Sequence, residues 1–459
     1  MNTLIVLSGL AVLILLLEII NFRKGIVPMT ILGLGGAIAA TLCDQPIIKT
    51  ELYNAIATNT FSQWFSILFI VLTMGIVALG NDFYKKSQHK LSDYISLKIF
   101  LLIGAVCMVS FEHLVMFFIG LEILSITLYV LAASNPQKIK SNEAGMKYFL
   151  MGSFASGFVL FGIALIYGAT ASFYLNEIVL VLTTPNYPSW LFIGFGMVVI
   201  GMLFKIAAFP FHFWAPDVYQ GSPVLTTASM STLAKVAAMA TFFKLAFTFS
   251  EVMNTEVFKN LIYVIIICTM FVGNVVALKQ TNIKRMLAYS GISHAGFMMF
   301  TLLSINTSAN ELLYYATAYA TAGIAAFAVI MYVTENKKEE WILHFRGLGK
   351  KSPLMAFVLS LALLSMGGIP ILSGFFAKFF LFKTALVNGY TTLVILGVIN
   401  SIISIYYYFR VIMTMYTFKK DEAKKIELSS SIIYPIVAVV FIAINILIGL
   451  APSYILNIF

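Results

Sequence analysis

Apolar runs separated by short polar interruptions fill this chain from end to end. Runs long enough to cross a hydrocarbon core of ~30 Å, at ~20 residues each, fall near 3–22, 26–43, 60–81, 91–110, 112–133, 143–174, 190–213, 222–249, 258–278, 283–304, 309–333, 352–387, 390–417 and 430–456. They predict an all-α polytopic membrane protein of about fourteen spans. The sixth and twelfth runs are long enough to be tilted or broken. The first run has no basic leader and no small-residue cleavage site, so it reads as a retained helix. The stretch DQPIIKTELYNAIATNTFS, between runs two and three, reads as an ordinary polar loop.

The polar interruptions alternate in charge. Those after odd-numbered spans carry Arg23, Lys24, Lys85, Lys86, Lys90, Lys138, Lys140, Lys147, Lys279, Lys284, Arg285, Lys337, Lys338, Arg346, Lys350, Lys351, Lys419, Lys420, Lys424 and Lys425. Those after even-numbered spans carry only Lys49 and Lys259. The positive-inside rule makes the first set cytoplasmic and places both termini outside the cytoplasm. One miscounted span would scramble this alternation, so the bias supports the count as well as the orientation.

Composition agrees. The 459 residues are 60% hydrophobic and 10% charged, whereas a soluble domain carries about a quarter charged residues. The net charge of +10 follows from membrane topology and requires no nucleic acid. Cys43, Cys107 and Cys268 stand alone in apolar surroundings with no CxxC pair, which argues against a disulfide framework, an iron–sulfur cluster or a zinc site.

The remaining basic residues, Lys98, Lys205, Lys235, Lys244, Lys378, Lys383 and Arg410, fall inside spans. Lys98, Lys383 and Arg410 are within reach of a span end and are expected to snorkel. Lys205, Lys235 and Lys378 are too deep for that. An ammonium at membrane depth costs about 2.5–3.5 kcal/mol even on the lenient insertion scale, so each is a functional candidate. Pro210 follows Lys205 by five residues. Proline removes a backbone donor and clashes with the preceding turn, which loosens the helix beside the charge.

The pattern repeats. Pro210 in span seven is echoed by Pro370 in span twelve, and NEAGMKYF (142–149) by NELLYYAT (310–317). Both offsets correspond to five spans, an odd number, so the second copy enters the membrane from the opposite side. Two inverted five-helix repeats follow, spans four to eight and nine to thirteen, with broken helices seven and twelve marking an ion site near the midplane. The chain then divides into a three-helix segment (1–90), a first repeat (91–250), a second repeat (251–420) and a last helix (421–459).

Glu122 lies near the middle of span five, with Ser125 and Tyr129 on the same helical face. A carboxylate and an ammonium at similar depth neutralise one another, and Lys205 is the expected partner; the pair can switch protonation as its surroundings change. The alternative is a static ion pair between two helices, which is rarely better than packed apolar residues. Thr227, Ser231 and Lys235 form an i, i+4, i+8 stripe in span eight. Ser290, Ser293 and His294 share a face in span ten, and histidine suits proton relay. Desolvated lysines release protons readily, so Lys205, Lys235 and Lys378 outline a half-buried hydrophilic axis. Gly33, Gly35 and Gly36 sit in an apolar span with no preceding strand, which favours helix packing over a dinucleotide loop. The tyrosines of span eleven and Tyr406, Tyr407 and Tyr408 are expected as packing residues and interfacial anchors.

Lys205 followed by PFHFWAPDVYQGSP, Lys235 within STLAKVAAM, KRMLAYSGISHAG (284–296) and GGIPILSGFFAK (367–378) resemble the antiporter-like membrane subunits of proton-pumping NADH:quinone oxidoreductase, respiratory complex I. The resemblance covers spans four to thirteen. PDVYQG and a lysine at 378 fit the subunit N branch. The resemblance implies that Glu122, Lys205, Lys235 and Lys378 belong to a proton-translocating axis in a bacterial inner membrane. It implies further that NADH, FMN, iron–sulfur clusters and quinone are used by the complex, with none bound by this chain. The implied partners are other membrane subunits, the lipid bilayer and, indirectly, the quinone pool. Competing expectations are a subunit of a multisubunit cation/proton antiporter or membrane-bound hydrogenase, and a self-sufficient solute transporter.

Overall fold

The computed structural model describes residues 2–43, 54–84, 91–184, 188–417 and 427–459. Lys49, Lys85, Lys86, Lys90, Lys419, Lys420, Lys424 and Lys425 lie outside the described residues, as do the segment junctions at 90 and 421. The spans are α1 (Asn2–Ile19), α2 (Ile26–Leu42), α3 (Thr60–Phe83), α4 (Leu91–Ser110), α5 (Leu114–Ala132) and α6 (Ile139–Thr170). Then come α7 (Trp190–Ile206) and α8 (Trp214–Gly221), the two parts of the seventh span, followed by α9 (Val224–Thr248), α10 (Glu256–Ala277), α11 (Ile283–Leu303) and α12 (Ala309–Thr334). The twelfth span is α13 (Pro353–Gly367) and α14 (Ser373–Val387), and α15 (Thr391–Tyr416) and α16 (Ile433–Leu450) complete the set. Every expected span is present. The sixth is one unbroken helix of 32 residues.

Loops from alternate spans gather at the same face. A hollow of about 530 Å³ is lined by Tyr84, Lys138, Gly221, Lys284, Lys337 and Tyr434, which come from the ends of odd-numbered spans, the links after them and the starts of the even-numbered spans that follow. At the other face Ile56 pairs with Phe111 and His113 with Tyr174 through single antiparallel bridges, and Asn310 bonds to the backbone of Phe459. The α6 helix therefore starts at the basic face and α12 at the opposite one, which makes the two repeats inverted. Of the expected polar loop before α3, residues 44–53 lie outside the described residues; in the rest Ile56 is buried, and Ala57 and Ala55 bond to the backbone of Ser110 and Glu112. Residues 55–57 are thus strapped to the protein, because backbone groups need partners once covered.

The repeat extends to packing. A Cβ at Gly104 of α4 would press on the backbone of Gly120 and Leu124 in α5, and one at Gly273 of α10 on the backbone of Tyr289 and Ser293 in α11. Both contacts recur 169 residues apart. Close glycine-lined crossings suit helices in lipid, where packing rather than hydrophobic expulsion drives association. The most enclosed spans, α9, α11 and α12, carry many of the buried polar groups, while α1, α6 and α16 turn Val12, Ile19, Phe154, Leu160 and Leu447 outward. Polar groups sit inside and apolar ones outside, the arrangement a bilayer requires.

Both broken spans stop in the same way. Ala207 and Gly368 adopt left-handed backbone (φ 58° and 86°). Ala208 N–H donates to Leu203 O and Ile369 N–H to Leu364 O, the six-to-one bond of a Schellman cap. Pro210 and Pro370 lie within the breaks, beyond those caps. Helix termination thus precedes each proline, and the proline prevents the helix from resuming at once.

Candidate functional site

Lys205 occupies the last turn of α7, where the exposed carbonyls of the half-helix favour a cation. Its Nζ donates to Ser125 Oγ at 2.6 Å and to Tyr129 Oη at 3.4 Å. Ser125 in turn donates to Leu121 O one turn back in α5. Glu122 is near enough to act on Lys205 electrostatically, yet among the described residues no ion pair joins them. Glu122 is half-buried, its Oε1 has no hydrogen-bond partner among the described residues, and it opens onto an apolar hollow of about 340 Å³ with Phe100, Phe118 and Ile126. Glu122, Ser125 and Lys205 thus form a triad in which the ammonium bonds to the hydroxyl and the carboxylate acts on it through space.

Lys235 is 2% exposed, and its Nζ has no hydrogen-bond partner among the described residues. It directly follows a π-turn, Met230–Ala234, which the sequence pattern did not announce. Such bulges shift the register of a helix and are frequent at functional sites. Here the bulge breaks up the expected stripe. Thr227 bonds to Tyr219 O and Pro223 O, Ser231 to Tyr319 Oη at 3.2 Å, and Lys235 points at Gly291, where a Cβ would stand 3.0 Å from both Lys235 Nζ and Tyr319 Oη.

His294 sits next along. Its ring lies 4.7 Å from that of Tyr319, Nδ1 meets Tyr315 Oη at 2.7 Å, and Nε2 meets Tyr408 Oη at 3.2 Å. Ser290 shares the Tyr408 hydroxyl, whereas Ser293 Oγ has no hydrogen-bond partner among the described residues. Lys235 and Lys378 both act on His294 electrostatically. Lys378, on α14, reaches back across the break to donate to Gly367 O at 2.9 Å, and its Nζ lies 4.9 Å from the centre of the Phe297 ring. Gly367 O is the last carbonyl of α13, so this ammonium also serves a half-helix C-terminus. A cavity of about 10 Å³ between His294, Tyr315, Ser365 and Gly374 is of the size that holds a single water.

The structure thus brings Lys235 and His294 together around tyrosines on α12 and α15, places Lys378 against the far end of α13 within electrostatic reach of His294, and sets Lys205 against α5. Sequence reasoning missed Tyr315, Tyr319 and Tyr408. Tyr407 and Tyr408 are fully buried and hydrogen-bonded, Tyr407 to Asn274 Oδ1 at 3.0 Å. They act as packing residues rather than interfacial anchors, whereas Tyr406 is exposed in the middle of α15. The i, i+4 spacing of Tyr315 and Tyr319 was the available signal. Lys98 also departs from expectation: it is 1% exposed, with no hydrogen-bond partner for its Nζ among the described residues. Lys383 is exposed, as a snorkelling residue would be, and Arg410 bonds to Leu278 O and Gln280 O beyond the end of α10. Lys244 pairs with Glu112 at 3.0 Å.

The PDVYQG block lies at the basic face. Asp217 bridges Lys147 at 3.0 Å and Arg285 at 2.6 Å, and Gln220 also accepts from Arg285 at 3.2 Å. Lys284 pairs with Glu340 at 3.2 Å and donates to Ser222 O at 2.8 Å. These contacts tie the first repeat to the second.

Residues 112–404 match the profile of the NADH:quinone oxidoreductase/Mrp antiporter transmembrane family. The NADH-quinone oxidoreductase subunit N of Flavobacterium johnsoniae is 56% identical, with 100% of this chain and 99% of that protein covered. The chain belongs to the subunit N family. The subunit N of Flavobacterium psychrophilum is 54% identical over the full length of both. Among solved structures, respiratory complex I from Thermus thermophilus with bound aureothin contains a chain that superposes with a TM-score of 0.85 at 30% identity, covering 99% of this chain and 98% of that one. The Mrp complex of a Dietzia species matches in fold, with a TM-score of 0.86 at 18% identity, covering 100% of this chain and 95% of its own.

Proposed function

We propose that this subunit N family member moves protons across a bacterial inner membrane as part of an NADH-quinone oxidoreductase, along Glu122, Lys205, Lys235, His294 and Lys378, driven by redox chemistry in other subunits. The observation that carries the reading is the set of buried lysines placed beside hydroxyls and one imidazole, two of them at the breaks in the seventh and twelfth spans. A buried ammonium without a fixed counterion is costly, and Lys235 and Lys378 have none at salt-bridge distance among the described residues. Such groups exchange protons as their surroundings rearrange, where a static structural cation would be paired.

The basic face is then cytoplasmic and both termini lie on the other side. Lys235 is the central relay, and Lys378, beyond the break at Pro370, is the relay towards the outer face or the neighbouring subunit. Residues 91–250 and 251–420 act as the two halves of the device, with 1–90 and 421–459 as flanking helices. NADH, FMN, iron–sulfur clusters and quinone are handled by other subunits, and the lipid bilayer and those membrane subunits are the partners.

The test is Lys235→Met in the assembled complex. NADH:ferricyanide activity reports assembly, and quinone-coupled NADH oxidation and dye-monitored acidification of inverted vesicles report coupling. Pumping should fall about tenfold, a change of about 1.4 kcal/mol in barrier. Pumping at the wild-type rate in fully assembled complex would reject the reading.

A further inference from the structure

Lys98 is the most deeply buried lysine that this axis does not use. It lies on α4 one turn beyond Tyr94, at i and i+4, so both share a face. Tyr94 stacks on Tyr84 with ring centres 4.1 Å apart, and both rings line the 530 Å³ hollow at the basic face. Tyr94 Oη donates to Ser134 O at 3.1 Å, while Tyr84 Oη has no hydrogen-bond partner among the described residues. The hollow also carries Lys138, Lys284 and Glu340, so it is polar, and Lys98 stands about 6 Å further into the membrane than Tyr94 by helical rise.

The register of α4 against its neighbours fixes what lies beside Lys98. Thr241 Oγ1 donates to Met108 O at 2.9 Å and Lys244 Nζ to Val109 O at 3.3 Å, so α4 and α9 run side by side in the same direction. Ten residues back along each helix, Lys98 is level with Ser231 in the π-turn, and α4 packs against that turn. Lys98, Ala105 and Val109 follow one another at i, i+7 and i+11, which puts Lys98 on the α4 face turned to α9. Ser231 bonds to Tyr319, and Tyr319 borders the Lys235 ammonium across Gly291. Lys98 thus lies between a polar hollow and the hydroxyl group of the central relay, and its Nζ is left without a partner.

We propose that Lys98 is the first membrane-embedded proton acceptor below the basic-face hollow, supplying the Ser231–Tyr319–Lys235 group. Its neutral amine takes a proton from water in the hollow. The resulting ammonium releases one to the hydroxyl chain, Lys235 accepts one from that chain, and Lys98 returns to the amine. This rests on the reading of Lys235 as a relay, and the experiment separates the two.

Lys98→Met, Lys98→Arg and Lys98→His are compared with Lys235→Met in the whole complex, all normalised to NADH:ferricyanide activity, with protons moved per NADH oxidised as the readout. Met and Arg at position 98 should each lower pumping at least about threefold, and His, which both accepts and releases protons, should restore most of it. Arginine keeps the charge and length but holds its proton. Wild-type pumping by Lys98→Arg therefore overturns the proposal, because it would make Lys98 a fixed structural cation. Normal pumping by Lys98→Met with impaired Lys235→Met overturns it while leaving the axis intact. Normal pumping by both Met variants overturns the axis as well. Should Lys98→Met fail to assemble, the contrast between Arg and His decides: equal pumping by the two rejects the proposal.

Discussion

The Lys205 ammonium donates to the Ser125 hydroxyl at 2.6 Å, and Ser125 lies one turn along α5 from Glu122. The hydroxyl accepts from the lysine while donating to Leu121 O, so the ammonium is held on Ser125 and makes no ion pair with the carboxylate among the described residues. A charge-assisted hydrogen bond of this kind contributes about 1.5–3 kcal/mol. Ser125→Ala should remove it and let Lys205 turn to Glu122, changing coupled NADH oxidation with little loss of assembled complex. Glu122→Gln should lower proton pumping and quinone reduction together. Wild-type pumping in both variants would leave the triad without a role.

Gly291 leaves room for the Lys235 ammonium and the Tyr319 hydroxyl, each 3.0 Å from where its Cβ would be. Gly291→Ala adds a methyl group to which the ammonium and the hydroxyl must give way by a few tenths of an ångström, and overpacking costs about 1–3 kcal/mol. Pumping should fall by about tenfold or more if Lys235 is displaced, with helix content and assembly retained. Vesicle acidification normalised to ferricyanide activity measures it. An Ala variant that pumps normally would show that Lys235 does not depend on this gap.

Lys235→Arg and Lys378→Arg keep charge and bulk but cannot deprotonate. Both should slow turnover. The effect should be the less severe where water can bypass the residue. At 378 the guanidinium must also replace the ammonium on Gly367 O, at the end of α13. Normal pumping by both variants would make these lysines fixed charges.

Asn445 on α16 ties the twelfth span to its neighbours. It accepts from Ser365 Oγ at 2.9 Å and donates to Ala318 O at 2.8 Å and Thr321 Oγ1 at 3.0 Å, while Ser365 Oγ accepts from Gly374 N–H across the break. Asn445→Ala strands several buried polar groups at about 1–3 kcal/mol each. The complex should lose thermal stability in detergent, and pumping should fall more than NADH:ferricyanide activity. An unchanged melting profile would show that the break is held by other contacts.

The spans, their alternation and the breaks were legible in the order of residues. Twenty-residue apolar runs cannot be soluble helices, alternate loops differ in basic charge, and Pro210 and Pro370 cannot sit in a continuous helix. Lys205, Lys235, Lys378 and His294 were legible as well, because a charge or imidazole inside an apolar run stands out whatever surrounds it. Partners were not. Whether Glu122 meets Lys205 directly or through Ser125 depends on the rotation of α5 against α7, a tertiary quantity.

Which tyrosines pack inside and bond to the polar groups was hidden for the same reason. In sequence Tyr406, Tyr407 and Tyr408 are alike, but adjacent helical positions point about 100° apart, so packing exposes the first and buries the other two against Asn274, Ser290 and His294. Lys98 looked close enough to a span end to snorkel into bulk solvent; burial by the neighbouring helices decides that it does not. The π-turn before Lys235 left no mark in composition, since it is a change of one hydrogen-bond register. Hydrophobic length and charge fixed which segments cross the membrane, because the bilayer acts on each segment separately. Contacts between segments decided which buried polar groups touch, because only helix packing brings together residues more than a hundred positions apart.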